Sequence, residues 1–191
     1  MRWLIWSAVA LALAVPVVLS LASPLLAYRQ PVYIAAGLAG VLALCALLIQ
    51  PLLAGGALCL SPITSRWLHR ITGASLVGLT LVHVGGLWIT SPPDVVDALL
   101  LRSPTQFSLW GVIAMWAVFA TALAAALRRH LRPRVWRWGH RALALVIAGG
   151  TIAHALLIDG TMEPWSKALL CVAVALAAAF ALLSRQPWRW R

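Results

Sequence analysis

Long apolar runs separated by short polar breaks cover almost the whole chain. Six runs are long enough to cross a hydrocarbon core about 30 Å thick, which takes roughly 20 residues of helix. The breaks carry residues that end or interrupt helices, such as Gly55-Gly56 and Ser91-Pro92-Pro93-Asp94. The pattern therefore predicts an all-α bundle of six transmembrane helices, forming a single domain over residues 1–191. The predicted spans are Trp3–Leu21, Val32–Leu53, Leu68–Thr90, Ser108–Leu127, Gly139–Ile158 and Trp165–Leu183.

Composition strengthens the membrane prediction. Of 191 residues, 63% are hydrophobic and only 10% are charged, and the mean hydropathy is +0.94. Soluble domains carry about 25% charged residues. A chain this poor in charge lacks the residues to cover a water-facing surface, so we expect a multi-pass protein in contact with membrane lipid.

The distribution of the positive charge indicates how the chain is oriented in the membrane. The net charge is +11, but the basic residues lie between apolar runs and form no polar patch of the kind that binds nucleic acid. If the N-terminus is inside, 12 of the 15 basic residues lie on the inner side and all four acids on the outer side. This bias predicts cytoplasmic N- and C-termini. The inner set is Arg2, Arg66, Arg70, Arg128, Arg129, Arg132, Arg134, Arg137, Arg141, Arg185, Arg189 and Arg191.

The N-terminal run has a second interpretation. Met1-Arg2 before an apolar stretch, with Ser20-Leu21-Ala22 after it, resembles a signal peptide with a small-residue cleavage site. The stretch is longer than a usual signal-peptide core, and its positive region holds a single arginine. We therefore expect the first helix to be retained.

Several chemistries lack candidate residues. No acidic residue lies within a predicted span, so the chain has no carboxylate that could relay protons through the membrane. No glycine-rich nucleotide-binding motif is present. Cys45, Cys59 and Cys171 form no CxxC pattern, which leaves zinc, iron–sulfur and disulfide interpretations unsupported.

Four of the five histidines form two matched pairs. His69 and His83 have the same separation in sequence as His140 and His154. At 100° per residue this spacing falls about 40° short of four full turns, so each pair lies on one face of its helix, separated by about 21 Å along it. His130 lies in a basic loop, and we expect it to be solvated.

The two helices run in the same direction, because one helix separates them. His69 therefore shares the inner level with His140, and His83 shares the outer level with His154. A haem iron takes axial ligands from both faces of a flat ring, so these couples suit two b-type haems.

The sequences around the inner histidines also match. Trp67-Leu68-His69-Arg70 aligns with Trp138-Gly139-His140-Arg141, and His83 and His154 are separated by the same distance in sequence as His69 and His140. We call this shared separation the repeat offset. Arg70 and Arg141 are candidates for contacts to haem propionates. Glycines on the same two helices are candidates for letting a macrocycle approach the backbone; they are Gly73, Gly78, Gly85, Gly86, Gly149 and Gly150.

The chain resembles the ferric reductase-like transmembrane domain, shared by ferric reductases, NADPH oxidases and bacterial relatives. The motifs that carry the resemblance are His69-Arg70-x-x-Gly73 with His83, and His140-Arg141 with His154. The resemblance implies a six-helix bundle that holds two haems b, with axial ligation by His69 and His140 and by His83 and His154. It also implies electron flow from the cytoplasmic to the outer side.

These 191 residues contain no counterpart of the flavin and nicotinamide module of eukaryotic members, so we expect the chain to be similar to small bacterial relatives and to lie in a bacterial inner membrane. These include the haem subunit of periplasmic methionine sulfoxide reductase, whose second helix ends like Leu47–Leu52 here. Not all members of that subfamily keep four histidines, so assignment to it stays open.

The sequence thus predicts the haem-binding membrane subunit of an oxidoreductase. The expected donor is a cytoplasmic flavoprotein docked on the Arg128–Arg141 region, a reduced flavin or a quinol. The expected acceptor is a periplasmic redox partner, oxygen or ferric iron. Two alternatives stay open: a quinol-linked membrane cytochrome b, and a non-redox transporter or assembly protein that uses its histidines for packing or metal passage.

Overall fold

The computed structural model of the protein describes residues 2–184 and is helical, with no strand in that range. Six of its helices are long and apolar enough to cross a membrane, which confirms the predicted fold class. Arg185, Arg189 and Arg191, which contribute to the predicted topology, lie outside the described residues. The side of the membrane on which each terminus lies stays a prediction. The helices are α1 (Arg2–Leu21), α2 (Pro31–Ala54), α3 (Pro62–Thr90), α4 (Pro92–Leu99), α5 (Gln106–Ala126), α6 (Pro133–Leu157) and α7 (Pro164–Leu183).

Proline sets the first residue of most of these helices. The helices α2, α3, α4, α6 and α7 each begin at a proline, whose fixed φ and missing N–H suit the first helical position. The predicted spans that begin at Leu68 and Gly139 lie within longer helices, because apolar runs alone defined the spans. In the structure α3 and α6 each begin more than one turn earlier, at Pro62 and Pro133, with arginines in the added segments.

The short helix α4 was not predicted. Its sequence begins with Pro92-Pro93-Asp94, which the apolar pattern marks only as a break. Proline at the first position and Asp94 in the first turn both favour a helix start, because the carboxylate complements the positive end of the helix dipole. Val95 is buried, so the helix is held against the bundle.

The bundle is built from two helical hairpins. The most extensive contacts are those of α2 with α3 and of α5 with α6, while α7 packs against both α2 and α6. Within the described part of the chain, α3 and α6 make almost no direct backbone contact with each other. The two histidine-bearing helices are therefore each supported by a hairpin partner, and their backbones approach each other closely at few points.

The buried core takes no buried apolar side chain from the histidine-bearing α3, whose Leu76 and Val77 pack against it while partly exposed. Leu44, Leu48, Leu170 and Val174 are among its best-buried large side chains, and they come from α2 and α7. Of the 29 residues of α3, only Ser65 is buried. Large apolar side chains are exposed along the other helices as well, as a lipid-facing surface requires.

Candidate functional site

The four paired histidines meet as two couples. The ring centroids of His69 and His140 are 6.1 Å apart, and those of His83 and His154 are 6.3 Å apart. The rings of each couple are steeply inclined, at 72° and 78°. The first couple lies in the amino-terminal halves of α3 and α6, and the second in their carboxyl-terminal halves. The pairing expected from the histidine spacing is therefore present in the structure.

These separations suit one metal ion between each pair of rings. A bond from a metal to an imidazole nitrogen is about 2 Å long, and the nitrogen lies about 1 Å from the ring centre, so two opposed ligands put their centroids roughly 6 Å apart. The distances therefore fit bis-histidine ligation.

Each couple offers two protein ligands and no more. Among residues 2–184, no group of three or more His, Cys, Asp or Glu side chains lies close enough to hold a metal ion. Zinc sites take three or four protein ligands, so they do not suit this arrangement. A haem iron does, because the macrocycle supplies the remaining four nitrogens.

Backbone carbonyls fix the orientation of the second couple. The Nδ1 atom of His83 lies 2.8 Å from the Ala36 carbonyl oxygen, and that of His154 lies 2.8 Å from the Phe107 carbonyl oxygen. A carbonyl only accepts, so each Nδ1 carries the proton and donates it. Each Nε2 then keeps its lone pair, which is the state a metal ligand needs.

The first couple has a different setting. The Trp136 ring stacks on His140 with centroids 5.0 Å apart, and the Arg128 guanidinium lies 5.7 Å from the centre of that indole. Within residues 2–184, the buried Nδ1 of His140 has no hydrogen-bond partner. A buried polar atom of this kind is rare in proteins, and it distinguishes His140 from His83 and His154, whose Nδ1 atoms both bond to backbone carbonyls.

A glutamine ties the hairpin together beside His69. The side-chain nitrogen of Gln50 in α2 donates to Thr72 Oγ1 at 2.6 Å and to the His69 carbonyl oxygen at 3.2 Å. These bonds join α2 to α3 within one turn of the histidine. The polar side chain of Gln50, which lies in an apolar helix, thereby has hydrogen-bond partners on the neighbouring helix.

Other predicted residues stand apart from the couples. Arg70 and Arg141 are exposed, each next in sequence to a histidine of the first couple. His130 is also exposed and accepts a hydrogen bond from Arg129. The structure therefore gathers the four histidines and leaves the two arginines at the surface beside the first couple.

Four of the six candidate glycines of α3 and α6 do not line the couples. Gly86 and Gly150 lie at close contacts with α2 and α5, since an added Cβ would come within 2.7 Å of Ala36 Cβ and 3.1 Å of the Trp110 carbonyl oxygen. Gly78 and Gly149 have no neighbouring atom within 4 Å of such a Cβ. Gly78 and Gly149 each lie about 140° around the helix from the histidine of the second couple that follows them, so these two do not face that couple. Any role of Gly73 or Gly85 beside a macrocycle stays a prediction.

The glycines that do touch the histidines lie on α2 and α5 and were missed. A Cβ at Gly40 would lie 2.9 Å from His83 Nδ1, and one at Gly111 would lie 2.7 Å from His154 Nδ1. Gly40 and Gly111 are separated by the repeat offset, as are Ala36 and Phe107, whose carbonyls accept from the two rings. Extending that offset from the histidine helices to the preceding helices would have found them.

No family model, curated protein or solved structure matches this chain. The resemblance to the ferric reductase-like domain therefore depends on the histidine motifs alone and stays a prediction.

Proposed function

We propose that the chain is a dihaem b membrane subunit that carries electrons across the bilayer, in the manner of ferric reductase-like proteins. The observation that supports this most directly is the repetition of one arrangement at two levels. His69 faces His140 at 6.1 Å and His83 faces His154 at 6.3 Å, each within the separation that one ligated metal ion requires.

The four imidazoles would hold the two irons, and haem would supply reversible one-electron chemistry when bound. The protein's own contribution is to orient the rings and to exclude water. Carbonyl oxygens of Ala36 and Phe107 hold the rings of the second couple. Arg70 and Arg141 are exposed next to the first couple, where they would pair with carboxylates at the membrane surface.

The proposed direction of electron flow follows from the charge bias. In a bacterial inner membrane with the arginine-rich ends inside, the His69–His140 couple faces the cytoplasm and the His83–His154 couple faces outward. The arginines between Arg128 and Arg141 are exposed, which suits an acidic flavoprotein donor. Contacts lead from Arg128 over Trp136 to His140, so this end has a continuous path from the surface to the first couple.

The acceptor on the outer side would be a periplasmic redox partner or ferric iron. A partner that docks there meets the four acids of the chain, Asp94, Asp97, Asp159 and Glu163, in the segments that the charge bias places outside. This supports a basic or cationic acceptor in preference to an anionic one.

The direct test is the haem content of protein purified after expression with ample haem. We expect b-type bands in the reduced-minus-oxidised spectrum and two haems per chain, one for each histidine couple. His130→Ala is the matched control, because His130 is an exposed histidine outside both couples, and it should keep the full spectrum. Colourless wild-type protein would reject the proposal and favour a transporter or assembly protein.

A quinol-linked cytochrome b is the alternative that keeps the haems. Reduction of the bound haem by a short-chain quinol, at a rate comparable to that with a reduced flavoprotein, would favour it over the flavoprotein-linked proposal.

A further inference from the structure

The two histidines of the second couple are held by the same kind of contacts, each made by a glycine and a backbone carbonyl of the preceding helix. On α2, Gly40 and the Ala36 carbonyl meet His83; on α5, Gly111 and the Phe107 carbonyl meet His154. In both hairpins the carbonyl lies 47 residues before the histidine. The glycine follows the carbonyl-bearing residue by about one helical turn in each case.

The glycines are needed because the rings lie against the helix backbone. A Cβ at Gly40 would stand 2.9 Å from Nδ1 and 3.0 Å from Cε1 of His83. At Gly111 the corresponding distances to His154 are 2.7 and 3.0 Å. A Cβ does not approach other atoms this closely without displacement, so alanine at either site must push the imidazole away from its carbonyl partner.

Helix propensity does not explain these glycines. Both lie inside long helices, where glycine costs about 1 kcal/mol relative to alanine. Their presence beside a histidine in both hairpins is accounted for by ring contact. We therefore infer that Gly40 and Gly111 are positioning residues, which seat His83 and His154 on backbone carbonyls so that both Nε2 atoms point to one shared metal centre.

This inference rests on the proposed function and adds an electronic consequence. A histidine that donates Nδ1–H to a carbonyl is a more basic ligand through Nε2. Stronger donation stabilises the oxidised iron, which lowers the reduction potential of that centre. Loosening the hydrogen bond should therefore raise the potential of the centre at His83 and His154, while the centre at His69 and His140 is unchanged.

The test compares two pairs of glycine variants by redox titration of the visible spectrum. Gly40→Ala and Gly111→Ala should each shift one of the two centres to higher potential, or lose that centre while the other remains. Gly78→Ala and Gly149→Ala are the matched controls, because they are also separated by the repeat offset and an added Cβ at either would meet nothing within 4 Å. Both controls should titrate as wild type.

If Gly40→Ala and Gly111→Ala titrate like the controls, the positioning role is wrong and the dihaem proposal stands. If wild-type protein binds no haem, both fail together. Should the alanine variants yield no folded protein, nitrogen-15 NMR of the reduced wild-type protein decides. Two ligand histidines should show Nδ1 protons that are hydrogen-bonded and slow to exchange, and their absence would overturn the inference.

Discussion

His83 and His154 occupy the same place in two halves of the chain. Their ring centroids are 6.3 Å apart, and each donates Nδ1–H over 2.8 Å to a carbonyl 47 residues earlier. The repeat includes the helix starts, since Pro62 and Pro133 are separated by the same repeat offset as the two histidines. A hairpin of two helices that presents two imidazoles is thus present twice, and the histidines meet where the hairpins face each other.

The two couples should be separable by mutation. His83→Ala and His154→Ala should each remove about half of the bound haem, because each would delete one of the two histidines proposed to hold the same centre. The measurement is the haem-to-protein ratio with the reduced-minus-oxidised spectrum. His69→Ala should remove the other half, with a different residual spectrum. A full spectrum in both His83→Ala and His154→Ala would contradict the pairing.

Trp136 should tune the first couple alone. Its ring stacks on His140 with centroids 5.0 Å apart, so Trp136→Leu frees the imidazole to rotate and should shift the spectrum and potential of that centre. Trp138→Leu is the control, because Trp138 lies on the same helix and is 69% exposed. Equal effects of the two substitutions would show that the stacking has no specific role.

Lys167 should stabilise the junction of α6 and α7. It is buried, and its Nζ donates to the Ile158 carbonyl at 2.7 Å, at the carboxyl end of α6. A hydrogen bond from a charged group contributes about 1.5–3 kcal/mol, and a cation at this end also suits the helix dipole. Lys167→Met should therefore lower the thermal midpoint in detergent. Leu169→Ala, at a 70% exposed position, should change it little; unaltered stability of Lys167→Met would contradict this.

Glu163 should add an acid-dependent component to stability. Hydrogen bonds from the backbone N–H groups of Ser166 and Trp165 lower the pKa of its carboxyl below the usual 4.5. A lowered pKa means that the carboxylate stabilises the fold above pH 4.5, and that this contribution is lost as the pH falls through the lower folded value. Glu163→Gln should make the thermal midpoint depend less on pH in that range. A parallel pH profile for both proteins would argue against the cap.

The apolar pattern was sufficient for the fold, and the histidine spacing for the couples. Both follow from local rules: helix length against membrane thickness, and the separation of His69 from His83 against helical periodicity. The ends of the helices were less predictable. At Pro62 and Pro133 the helix begins in a charged segment, which hydropathy excludes although proline favours the position.

The contacts of the histidines with other helices could not be derived from periodicity. The contacts of His83 with Gly40 and of Gly86 with Ala36 both depend on how α2 packs against α3. The periodicity of one helix carries no information about that packing. The glycines near the histidines in sequence were expected to let a macrocycle approach the backbone, whereas the glycines that contact the histidine rings, Gly40 and Gly111, lie on the preceding helices. Only the repeat offset carries that information in the sequence.

The transfer of electrons across a sealed bilayer is the sharpest test of the proposed dihaem function. Purified protein loaded with haem is placed in vesicles that enclose ferricyanide, and dithionite is added outside, so that electrons must cross the membrane. We expect ferricyanide to be reduced far faster than in protein-free vesicles, and His69→Ala or His154→Ala to abolish the gain while His130→Ala keeps it. If protein that carries both haems gives a rate no higher than that of empty vesicles, the proposed electron transfer across the membrane is wrong.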